Sequence, residues 1–138
     1  MSNVDLARKS IDLYEAGDFD ALAEMAHPDV EVHDWPEAAD PQVYRGATAI
    51  EDAREEWGKA WESVRAVPLD FVEVEDRVLV VMRTIARGRG SSIDVEMETF
   101  GVYTFRDRQI LKLQYFTDRE SALEAAGLTD QQLKEEDR

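Results

Sequence analysis

At Pro68 the spacing of apolar side chains changes, and that change divides the chain into two kinds of structure. Before it, apolar residues recur every three or four positions. Val4, Ala7, Ile11 and Tyr14 do so over 4–16. Phe19, Leu22 and Met25 follow Asp18, and Ile50, Ala53, Trp57, Ala60, Trp61 and Val64 follow Thr48. Each set is one face of an amphipathic helix. After Pro68 the period falls to two, in runs at 71–75, 78–86, 93–105 and 110–117 bounded by turn residues. Helices followed by a meander of strands fold as α+β, with the helices on one face of an antiparallel sheet.

Local signals refine this outline. Asp18 is a good N-cap, Gly17 and Gly127 are good helix stops, and a short closing helix is expected over 118–126. His27-Pro28 ends the second helix, because the residue before proline avoids the helical region. A half-buried strand follows at 29–34, with Val30 and Val32 turned inward, and Tyr44-Arg45-Gly46 forms a turn. Thr48 with Glu51 has the spacing of a capping box. Trp57 and Trp61, four apart, share one helical face. The run at 78–86 is apolar on both sides, so both its faces must be covered, and a homodimer through the outer face is expected. Asp107-Arg108 marks a hairpin tip. Residues 128–138 are polar and expected to fray.

Composition excludes several functions. A chain of 138 residues makes one domain, 1–138. Its 16 basic residues against 31 acidic ones leave a net charge of −15, without the basic footprint that nucleic acid or an anionic membrane requires. The Arg87-Gly88-Arg89-Gly90 stretch therefore reads as a solvated hairpin loop. With no cysteine there is no disulfide, thiolate metal site or Cys nucleophile, and two histidines are too few for a His-rich metal site. No metal and no cofactor are expected. No apolar run is long enough to span a bilayer, and the first residues lack the pattern of a signal peptide, so a cytoplasmic protein is expected.

Several short motifs occur in order: Gly17-Asp18, Ala26-His27-Pro28-Asp29-Val30, Tyr44-Arg45-Gly46, and Tyr103-Thr104-Phe105-Arg106-Asp107. Ile110, Tyr115, Asp118-Arg119, Ala122-Leu123 and Ala126-Gly127-Leu128 follow. Taken together, over roughly residues 4–128, they resemble the SnoaL-like family of the nuclear transport factor 2-like superfamily. The resemblance implies a cone: a strongly bent antiparallel sheet wrapped around three N-terminal helices, with one deep pocket and a homodimer through the convex sheet face. That superfamily includes ketosteroid isomerases, polyketide cyclases, epoxide hydrolases, dehydratases and binding modules, so the fold does not fix the activity.

Asp34 lies at the strand end where ketosteroid isomerases keep a general-base aspartate, and a partly desolvated carboxylate there can move a proton. It can equally be the turn residue that opens the Trp35-Pro36 loop. The isomerase pattern also needs a phenol near Ser10 and an acid near Gly101, which those two residues do not supply. The epoxide hydrolase pattern needs two acids, and Leu79 and Tyr115 stand near their places. Arg83 interrupts an apolar strand. Turned inward it would clamp an anion or carbonyl facing Asp34; turned outward it would pair with Glu96 or Glu98. The expected catalytic set is Asp34 as base with His33, Arg83 and Tyr115 positioning the substrate. The expected lining is Tyr14, Trp57, Trp61, Met97 and Tyr103, suited to a small, flat, apolar organic molecule, although the two tryptophans also suit a plain core. Two functions remain open: cofactor-free isomerisation, cyclisation or hydration by proton transfer, or ligand binding and dimerisation without turnover.

Overall fold

The computed structural model describes residues 2–36 and 40–129. Helix α1 (Asn3–Ala16) is held at its start by a capping box. Ser2 Oγ accepts from Asp5 N at 3.1 Å, and Asp5 Oδ2 accepts from Ser2 N at 3.2 Å. Gly17, at φ 75°, ends it in the left-handed conformation that a side chain resists. Asp18 caps α2 (Phe19–Glu24) by accepting from Ala21 N. There follow β1 (Ala26–His33), β2 (Val43–Arg45), α3 (Ala49–Trp57), β3 (Trp61–Val74), β4 (Arg77–Gly88), β5 (Asp94–Arg106), β6 (Gln109–Phe116) and α4 (Arg119–Ala126). Among the described residues the strands form one open sheet in the order β2-β1-β6-β5-β4-β3. The α+β class holds, and the sheet is antiparallel except where β1 runs parallel to β6.

Five local expectations fail. The second helix stops at Glu24, before His27-Pro28. Ile110 N donates to Met25 O at 2.8 Å, which draws the chain into the sheet, and a register break between Ala26 and Glu31 absorbs the proline. Tyr44-Arg45 belongs to strand β2 rather than to a turn. Thr48 does not cap α3; its hydroxyl donates to Asp52 Oδ2 at 2.8 Å. The third helix ends at Trp57, so Trp57 and Trp61 do not share a helical face. Trp61 opens β3, which pairs with β4 along its whole length. Pro68, which looked like a boundary, sits inside β3 at a register shift. A strand tolerates a proline there because β3 is the sheet edge and a bulge needs one ladder bond fewer.

The core has two layers. On the concave side Val78, Val80, Met82, Tyr103 and Leu113 pack on Leu6, Ala7 and Ile11 of α1, Leu22 of α2 and Ala49 and Ala53 of α3. On the other side Val72, Leu79, Val81, Phe100, Val102 and Phe116 pack on Ala122, Leu123 and Ala126 of α4. Thus α4 of the same chain covers Leu79 and Val81, part of the outer face that the two-sided pattern of β4 led one to assign to a partner. Burying one side chain of this size is worth about 1.5–3 kcal/mol, so leaving the face open would be costly. Arg77 ties α4 to the sheet, donating to Ala125 O at 3.1 Å. Among the described residues no helix is long and apolar enough to cross a membrane.

The hairpin between β5 and β6 turns on two residues, Asp107 at φ 53° and Arg108 at φ 65°. Two successive left-handed residues are what a tight hairpin needs to match the twist of its strands, and glycine is the natural second one. A side chain in that conformation costs about 1 kcal/mol. Arg108→Gly should therefore raise stability by about 1 kcal/mol, seen as a melting temperature several degrees higher; an unchanged or lower value would contradict this account of the turn.

Candidate functional site

The inward-facing residues of β3 to β6, together with α1 to α3, enclose a cavity of about 570 Å³. That is large enough for an organic molecule of drug size. Its walls are mainly aliphatic and aromatic: Ile11, Leu22, Ile50, Met82, Ile110 and Leu113, with Trp35, Trp57 and Trp61. The strand period decides who faces it. Met82, Thr84 and Ala86 of β4 line the cavity, and so do Met97, Thr99 and Tyr103 of β5.

Asp34 follows the last residue of β1 and reaches the cavity. Its Oδ1 accepts from Trp57 Nε1 at 2.8 Å. Its Oδ2 accepts from Gln42 N at 2.9 Å and from the Tyr44 hydroxyl at 3.4 Å. Hydrogen bonds to a charged group contribute about 1.5–3 kcal/mol, so the short indole bond is the one that fixes the carboxylate. The 3.4 Å phenol contact is the weak one. Burial and the nearby Asp34 carboxylate push the Tyr44 phenol up to about 12.

Three further phenols line the chamber. The Tyr115 ring is flanked by Trp35 and Trp57, each with its centroid 5.4 Å away. The Tyr103 hydroxyl interacts with those of Tyr115 and Ser10. Ser10 donates to Ala7 O at 2.7 Å, which anchors the group on α1. Burial in apolar surroundings raises Tyr14, Tyr103 and Tyr115, the last well above its ordinary value. All three stay protonated near neutral pH; the contacts among Ser10, Tyr103 and Tyr115 take up protons of that group, and Tyr14 keeps its own to donate to an oxygen in the cavity. Gly101, opposite Tyr115 in the ladder, leaves room for this arrangement. A Cβ there would lie 3.1 Å from both Met82 Cε and the Tyr103 ring.

The expected residues divide between the two faces of the sheet. Asp34, Tyr115, Tyr14, Trp57, Trp61, Met97 and Tyr103 all line the cavity. Arg83 and His33 do not. Arg83 lies between inward-facing Met82 and Thr84, so it points outward, 57 % exposed, with Nε 2.9 Å from Glu96 Oε1. His33 alternates with inward-facing Val32 and turns to Glu31, 2.9 Å away. The imidazole holds that glutamate below its usual range. Asp34 therefore has none of the expected partners His33, Arg83 or Tyr115 as a hydrogen-bonding neighbour; Trp57, Tyr44 and Gln42 take their place. His27, expected to end a helix, instead accepts from Asp29 N at 3.0 Å through Nδ1, within β1. Among the described residues no three His, Asp or Glu side chains converge as metal ligands would.

The SnoaL-like domain family matches residues 7–113. No curated protein matches the chain. Among solved structures, an NTF2-like protein of unknown function from Burkholderia pseudomallei K96243 superposes with a TM-score of 0.76 at 15% identity, covering 91% of this chain and 98% of its own. TerC co-crystallized with polyporic acid superposes at 0.73 with 20% identity, covering 90% and 96%. A candidate polyketide cyclase from Sinorhizobium meliloti superposes at 0.65 with 26% identity, covering 80% and 93%. The bent sheet, the helices it encloses and the family match over most of the chain agree: this protein belongs to the SnoaL-like domain family, with the NTF2-like cone fold.

Proposed function

We propose that the cavity binds a small, largely apolar organic molecule bearing a ketone or enol oxygen, and that the protein moves a proton on it without a cofactor. One observation carries this: a fixed carboxylate, Asp34, and protonated phenols, Tyr14, Tyr103 and Tyr115, face the same apolar chamber. Asp34 would remove a proton from the carbon next to the carbonyl while a phenol donates to the oxygen on which charge develops. Returning that proton to another carbon of the same molecule is an isomerisation. Attack of the carbanion on a second carbonyl is an aldol-type cyclisation. Neither outcome consumes an external reagent. The neighbour crystallised with polyporic acid supports the ligand class, since the same fold there holds a small organic molecule.

A second function, ligand binding without turnover, is favoured by one detail. Both Asp34 oxygens already accept hydrogen bonds, so taking up a proton would disturb the Tyr44 or Gln42 contact. Deuterium exchange separates the two. In deuterated buffer the protein should speed exchange of the hydrogens next to the carbonyl of 2-tetralone, followed by proton NMR. Asp34→Asn should lower that rate by about 10²–10⁴-fold with little change in affinity. Trp57→Phe, which frees the carboxylate but keeps an aromatic wall, should lower it less. Binding without any exchange above the buffer rate would favour the binding function.

The sheet face beyond α4 supports the homodimer. Register places Arg65, Ile85 and Glu96 in one row and Val67, Arg83 and Glu98 in the next. In the first row an arginine and a glutamate flank Ile85, and such a row can meet its own copy across a two-fold axis, as an isologous interface requires. Sedimentation equilibrium should give twice the 15.7 kDa chain mass, and Val67→Glu should lower it. A monomer at concentrations on the order of tens of micromolar would contradict the assembly.

A further inference from the structure

The polar groups of the cavity wall lie at two levels. The first is the phenol level, where Tyr115 of β6 faces Gly101 of β5. The second lies two residues along β5, at Thr99, with Thr84 diagonally opposite on β4. Two strand residues separate the levels by about 7 Å. The two threonine hydroxyls are 2.7 Å apart. Thr84 is 6 % exposed and Thr99 0 %, and both line the cavity.

Only one proton lies between two hydroxyl oxygens. Whichever threonine donates, the other keeps a proton to place. Among the described residues neither side chain has another partner. A buried donor left unmet is costly, whereas a spare hydroxyl lone pair is common and cheap. The register neighbours on the wall, Ala66, Met82, Ala86 and Met97, offer at most a weakly accepting thioether, and among the described residues no hydrogen bond joins the nearby Thr117 to the pair. Valine would fill either position without a hydroxyl to satisfy, and it suits a strand as well as threonine does. The free proton therefore points to an acceptor supplied from outside the chain.

We propose that the Thr84–Thr99 pair is a second oxygen-binding site of the cavity, which selects rigid, apolar molecules carrying two carbonyl oxygens, one for the phenol level and one for the threonine level. This rests on the assignment of the cavity to a ketone-bearing organic ligand and narrows it to dicarbonyl compounds. Tyr14, beside Tyr103 and Tyr115, donates to the inner oxygen, and the threonine pair holds the outer one. The pair thereby fixes the depth and direction in which the molecule lies beside Asp34. Thr84 and Thr99 are positioning residues here and take no part in proton transfer.

Three compounds on one ring skeleton test this: 9,10-anthraquinone with two carbonyls, anthrone with one, and 9,10-dihydroanthracene with none. Binding is followed by tryptophan fluorescence, since three indoles line the chamber. The intact protein should bind anthraquinone about tenfold more tightly than anthrone, the discrimination that one buried hydrogen bond provides. In T84V/T99V that preference should vanish while dihydroanthracene binds at least as well as before. The single variants T84V and T99V, each losing one hydroxyl, should show a reduced preference and carry the test if the double variant folds poorly. Equal binding of anthraquinone and anthrone by the intact protein, or a preference unchanged in the variants, would overturn the threonine site alone. Failure of all three compounds to bind the intact protein would overturn the ketone-binding function as well.

Discussion

Strands β4 and β5 are covered on both faces over residues 78–82 and 100–103, and the rest of the molecule follows from that constraint. Helices α1 to α3 cover one side and α4 the other, so successive residues of these strands alternate between two different interiors. The alternation sends Met82 and Thr84 into the cavity and Arg83 out between them. It also sends Thr99 and Tyr103 inward while Glu96 and Glu98 form ion pairs on the outer surface with Arg83 and Arg119. A shift of one residue in register would exchange the two sets and place charges on the cavity wall.

Within the cavity, chemistry depends on groups kept in fixed states by their surroundings. The indole of Trp57 holds one oxygen of Asp34, and the end of β1 holds its backbone through Asp34 N to Gln42 O at 3.0 Å. Apolar neighbours hold the phenols in their protonated form. The carboxylate and the phenols sit in one chamber on different supports: hydrogen bonds hold the first, and apolar burial surrounds the others. The acid-and-phenol pair that the ketosteroid isomerase pattern requires has no counterpart at its own positions here. Ser10 and Gly101 stand where that pair would be; here Ser10 braces Tyr103 and Gly101 makes room for it.

Much of this was legible in the sequence, because period and turn chemistry are local. The change of period at Pro68 separated helices from sheet, and the motif order pointed to the family. Errors arose where a distant partner decided the outcome. Trp61 has helical spacing behind it, but pairing with Gly88 makes it a strand residue. Pro68 and Pro28 read as boundaries and sit inside strands, where a bulge and an edge position tolerate them. The direction of Arg83 could not be read from an uninterrupted apolar run, because both parities of β4 are buried. Tyr44 and the Thr84–Thr99 pair left no signal at all. A tyrosine in a supposed turn and two threonines in strands are ordinary locally, and only the folded sheet brings the first to Asp34 and the others to the cavity.

The central claim is that apolar burial keeps the phenols of this chamber protonated. All four tyrosines of the chain are raised by burial. Because the folded state favours the neutral phenol, stability is fully present below the unfolded phenol value, about 10. It should then fall as pH rises through the folded values. A spectrophotometric tyrosinate titration, with circular dichroism followed in parallel, tests this directly. The account predicts that Tyr103 and Tyr115 do not ionise near pH 10 and that a late step, at about 12 for Tyr44, accompanies loss of the fold. Two or more tyrosines ionising near pH 10 while the protein remains folded would contradict it.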